Sequence, residues 1–174
     1  MQARRREVLK LAALVTVAGR ADLLLAAPAP LPSERSPAMQ SRPLMTLRLD
    51  TAPTQNVGAG PLGTRVTYPV TGGSFAGDRL RGKVLPGGAD WTLKRSDGVI
   101  DLDLRITLET DDGALIYMTF TGIRDDGASG APYFRTAPRF ETAAAKYVFL
   151  NRLLAIGSGE ISRSGPVHVI DEIL

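Results

Sequence analysis

At 174 residues and 44% hydrophobic content, the chain can bury one ordinary core, which excludes a disordered or fibrous polymer. The absence of cysteine excludes disulfides, thiolate metal sites and cysteine nucleophiles. The formal charge of +3 is concentrated at the start: residues 1–29 hold five of the 21 basic side chains against two of the 18 acidic ones, leaving 16 of each beyond. A neutral remainder without a basic run has no polyanion footprint, so nucleic acid is not an expected partner.

Arg4-Arg5-Arg6-Glu7-Val8-Leu9-Lys10 contains Arg-Arg-x-x-Leu-Lys, followed by a short apolar stretch over residues 11–18. This resembles a twin-arginine signal, in which the paired guanidinium groups are themselves read by a receptor. The stretch falls far short of the ~20 apolar residues a membrane span needs, and its continuation meets Gly19, Arg20 and Asp22. Ala27-Pro28-Ala29 supplies the small residues a signal peptidase cuts beside. The expected division is a signal peptide over 1–29, an extended tether over 30–45 with Pro30, Pro32, Pro37 and Pro43, and one domain over 46–174. Passage through the twin-arginine translocase to the periplasm or the medium follows as an expectation.

In chain order, residues 46–49 and 63–70 predict short strands, and Gly72, Gly73, Gly82, Gly87 and Gly88 predict bulges or tight corners between them. Over residues 99–109 Ile100, Leu102, Leu104, Ile106 and Leu108 alternate with Asp101, Asp103, Arg105, Thr107 and Glu109, the pattern of a strand with one apolar and one polar face. Thr110-Asp111-Asp112-Gly113 then turns the chain, and a left-handed Gly113 with a bulge would place Arg105 opposite Thr119 and Thr107 opposite Tyr117. Residues 142–146 offer about one helical turn. Further strands are expected over 146–156, 159–162 and 167–173. Many short antiparallel strands predict an all-β fold, a single closed antiparallel barrel with bulged, Gly-rich hairpins, because closure removes exposed edges.

Two arrangements of that barrel remain open. If the apolar face of strand 99–109 fills it, Asp103 and Arg105 are a solvated exterior. If the polar face lines the lumen, Asp103, Arg105, Tyr117 and Glu109 converge on a cavity. The inventory excludes most familiar sites: His168 is the single histidine and reads as structural among Val167, Val169 and Ile170, and no Gly-x-Ser-x-Gly elbow is present. With one histidine and no cysteine, neither a metal site nor a cofactor is expected. Asp101 and Asp103, two apart on one face and so about 6–7 Å apart, read as surface rather than as a glycosidase pair.

The blocks Gly72-Gly73-Ser74-Phe75-Ala76-Gly77, Pro86-Gly87-Gly88-Ala89-Asp90-Trp91, Asp111-Asp112-Gly113-Ala114-Leu115-Ile116-Tyr117, Tyr133-Phe134-Arg135 and Phe140-Glu141-Thr142, with residues 147–151, resemble the DUF3237 (UPF0311) family over about residues 44–172. The resemblance implies a compact antiparallel barrel of the calycin or allene-oxide-cyclase type. It leaves the general function unknown, although a fungal relative is associated with ring closure of a polyketide-derived phenol by hydroalkoxylation. Within these blocks the residue types suit cofactor-free acid–base isomerisation, cyclisation or lyase chemistry on an apolar or aromatic metabolite. Asp103 or Glu141 would be the base, Tyr117 or Tyr147 the proton donor, and Arg105 or Arg135 the stabiliser of an enolate or phenolate. Trp91 would stack on the ligand, with Asp90 and Asn151 orienting its polar groups. A non-catalytic ligand-binding barrel and a symmetric homo-oligomeric scaffold are the rival readings.

Overall fold

The computed structural model describes residues 38–127 and 131–174. The twin-arginine segment and the tether up to residue 37 lie outside the described residues. The chain forms ten strand segments and one short helix. The strands are β1 Ser41–Thr51, β2 Gln55–Gly60, β3 Gly63–Ala76, β4 Arg81–Val84, β5 Gly88–Lys94, β6 Ile100–Thr110, β7 Leu115–Asp125, β8 Tyr133–Glu141, β9 Leu154–Ser162 and β10 Gly165–Ile173; the 3-10 helix Ala145–Arg152 lies between β8 and β9. β1 begins at Ser41, so residues 41–45, expected in the tether, already belong to the domain. Leu44 and Met45 are buried there, and burial of apolar side chains outweighs the Pro-rich local signal.

All pairings are antiparallel, and β1 closes the sheet by pairing with both β10 and β3. β4 and β5 both lie between β3 and β6, and β1 and β2 both pair the other edge of β3. Each couple is one stave broken by a bulge, so ten segments make an eight-stave closed barrel. Gly113 adopts φ 82°, and the β6–β7 register pairs Arg105 with Thr119 and Thr107 with Tyr117, as the bulged turn requires.

The apolar face of β6 fills the barrel: Leu102, Leu104, Ile106 and Leu108 are buried with Leu47, Phe75, Ile116, Met118, Phe120 and Ile170. Residues 146–153 are not a strand. The β-favouring run Tyr147-Val148-Phe149-Leu150 is overridden because a 3-10 turn eclipses positions three apart, which lets Tyr147 and Leu150 both enter one end of the barrel as a plug. Asn151 secures the helix, accepting from the Thr142 amide and donating to the Thr142 carbonyl, both at 2.9 Å. At the opposite end, where β1, β5, β7 and β9 finish, no helix among the described residues plugs the barrel.

A candidate site in the open end of the barrel

Eight strands deliver side chains to a recess at the unplugged end. It is lined by Leu49, Val70, Leu102, Leu104 and Phe134, and among these sit the polar groups of Tyr68, Asp90, Thr92, Arg124 and His168. The cavity is about 50 Å³, room for a few waters or one small reacting group. Period-two alternation explains the membership: Arg124 has the parity of Phe120 in β7, and His168 that of Ile170 in β10.

Asp90 is the chemically distinctive residue. It pairs across the ladder with Tyr68 of β3 and Leu104 of β6. Its Oδ1 accepts the Asp103 amide at 3.0 Å. Burial pushes its carboxyl up to about 6; the Asp103 amide bond opposes the rise and the Asp103 charge adds to it. Beside it, Thr92 is satisfied by donating to the Val66 carbonyl at 2.8 Å. His168 stands between Phe120 and Phe134, and burial lowers its imidazole to about 4, so it is neutral at physiological pH. Its Nδ1 is buried without a hydrogen-bond partner.

The residues singled out from the sequence fall in three places. Asp103, Arg105 and Trp91 form a strip on the outer wall: Arg105 binds the Asp103 carboxylate at 3.0 Å and lies 5.5 Å over the Trp91 ring. The polar face of β6 therefore does not line the lumen, and its carboxylates meet solvent. Tyr117, Glu141 and Asn151 do come together, with Thr119 and Arg139, in an outer groove of about 250 Å³ beside the helix. There the Asn151 amide is already committed to Thr142. Tyr147 is part of the plug and donates to Asp112 at 2.9 Å, and Arg135 lies outside, donating to the Phe134 carbonyl and covering Tyr133.

Of the residues singled out, Asp90 alone lines the recess at the open end. Tyr68 and Arg124 are not singled out by the sequence, and His168, which reads there as structural, lines the recess as well. The parity of β7 and β10 carried the signal for Arg124 and His168, but a histidine of core parity reads the same whether it packs or lines a cavity. Among the described residues no group of three or more histidine, aspartate or glutamate side chains is placed to hold a metal ion.

Residues 39–172 match the family model described as a protein of unknown function, DUF3237. A UPF0311 protein of Rhodopseudomonas palustris is 35% identical over 136 residues, covering 71% of this chain and 89% of that protein. The hydroalkoxylation enzyme phnH of Penicillium herquei is 34% identical over 89 residues, 51% of this chain and 53% of its own. Among solved structures, a beta-barrel like protein from Acinetobacter baumannii superposes with a TM-score of 0.76 at 33% identity, covering 81% of this chain and 99% of that one. An enzyme from Penicillium herquei gives a TM-score of 0.68 at 25% identity, covering 83% and 100%.

Proposed function

This chain belongs to the DUF3237 family, whose function is unknown, and from the barrel itself we propose that it is a small-molecule site running cofactor-free acid–base chemistry, with Asp90 as the proton-transferring group. The observation that carries this is a carboxyl among the apolar side chains that line the recess, raised by burial to about 6. Near neutral pH such a group populates both its acid and its base form, the condition for efficient proton transfer. An isomerisation or ring closure needs that duality. When a hydroxyl adds across a carbon–carbon double bond, one proton leaves oxygen, one arrives at carbon, a C–O bond forms and the π bond is lost. Asp90 then ends the cycle as it began, with Tyr68 opposite it as a relay.

The apolar lining favours an uncharged or aromatic ligand body. Arg124 reaches the recess while holding Asp126 at 2.7 Å, so it supplies a cation near the mouth for a developing oxyanion. The relation to the hydroalkoxylation enzyme supports this reaction class as one the barrel can host, although one fold serves many chemistries. The twin-arginine motif supports placing the protein outside the cytoplasm.

The test is native mass spectrometry of wild type and Asp90→Asn purified from the producing cell, with chromatography of whatever each releases. An isomerase predicts compounds of equal mass but different retention, substrate from the variant and product from wild type. One identical compound from both makes the barrel a binder, and nothing retained by either overturns the site.

A further inference from the structure

We infer that Asp103 and Arg105, on the outside of the barrel wall, are positioning residues that set how readily Asp90 on the inside holds its proton. The geometry is a break in the sheet. Pairing of β5 with β6 runs through Asp90–Leu104 and resumes only at Leu93–Asp101. In that gap the Asp103 amide turns to the Asp90 carboxylate, at 3.0 Å. The same residue that anchors Asp90 by its backbone carries an outward carboxylate, which Arg105 neutralises at 3.0 Å while resting over Trp91. The field from Asp103 crosses a wall one strand thick, where low polarisability transmits it better than water does.

The inference rests on Asp90 being the working group of the site. The titratable and charged side chains that face the same recess are Tyr68 from β3, Arg124 from β7 and His168 from β10; neutral His168 adds no charge, and the Arg124 cation, paired with Asp126, is common to wild type and both variants compared below. Asp103 is the charge from which the Asp90 carboxyl takes an upward push, beneath the larger effect of burial. Arg105 decides how much of that push is left. The outer strip therefore works as a trimmer: loosening Arg105 from Asp103 makes Asp90 a weaker acid, and removing the Asp103 charge makes it a stronger one.

Carbon-detected NMR titration of the Asp90 carboxyl in the ligand-free protein tests this in wild type, Asp103→Asn and Arg105→Gln. Both substitutions are on the surface, and Asp103→Asn keeps the anchoring amide. The expected midpoint falls by about half a pH unit in Asp103→Asn and rises by a comparable amount in Arg105→Gln. Unmoved midpoints, or movement in the opposite sense, overturn the inference. Because the reading needs no substrate, it is separable from the function: shifted midpoints in a protein that retains no small molecule would uphold the trimmer and sink the proposed activity. Turnover that depends on Asp90 while its midpoint ignores both variants would do the reverse.

Discussion

The imidazole of His168 meets the ring of Phe134 edge-on, with centroids 5.1 Å apart. This contact, with Phe120 at 5.0 Å on another side, keeps the ring in an apolar setting that resists its protonation.

The stability of the native state follows from that resistance and from the opposite behaviour of Asp90. His168 has a folded pKa of about 4 against 6.5, so the stability it protects is fully present above about 6.5 and is lost as pH falls toward 4. Asp90, raised from 3.8 to about 6, favours the native state at acid pH and loses that contribution as pH rises through the same interval. Each is worth roughly 3 kcal/mol, and over about pH 4–6 they offset one another. Urea melts across that range should show His168→Leu losing stability with rising pH relative to wild type, and Asp90→Asn losing it with falling pH.

At the β8–β9 seam only Arg135–Ser158 and Thr136–Gly157 are paired, and the Thr136 hydroxyl is buried there without a partner. Thr136→Val should be neutral or stabilising by up to about 1 kcal/mol in chemical denaturation. Gly159→Ala should act oppositely, since its methyl would lie 2.6–2.7 Å from the Phe134 ring. A loss of about 1–3 kcal/mol is expected, together with displaced ring resonances of Phe134 and His168.

The plugged end is tied down by Asp112, which accepts from Lys146 at 2.6 Å and from Tyr147 at 2.9 Å. These bonds hold the Asp112 carboxyl well below the ordinary range, so the latch persists in mild acid and is lost only as pH falls far below it. Tyr147→Phe should cost about 1 kcal/mol. Hydrogen exchange should quicken over residues 145–152 in Asp112→Ala while the β6–β7 ladder stays protected.

For export, Arg5→Lys with Arg6→Lys keeps the positive charge but removes both guanidinium groups. Fractionation of the producing cells should find the variant retained in the cytoplasm; normal export would dismiss a receptor that reads arginine.

By itself the sequence determined an all-β barrel with two-faced strands, and only the tertiary structure decided which face of β6 fills it. Strict alternation in residues 100–109 allows one buried face, and Thr110 to Gly113 admits one turn compatible with it, because strand period and left-handed backbone are local properties. Local signals failed where distant partners decided. Residues 147–150 look like a strand, and only an unfilled barrel end, with Tyr147 and Leu150 three apart, makes them a helix. The site was decided at that level too. Asp103 and Asp90 are both carboxylates next to glycine-rich or alternating segments, and nothing within a few residues of either tells which is walled in. The register between β3, β5 and β6 does, because it turns Asp90 inward beside Tyr68, where burial raises its carboxyl, and leaves the Asp103 side chain on the outer wall.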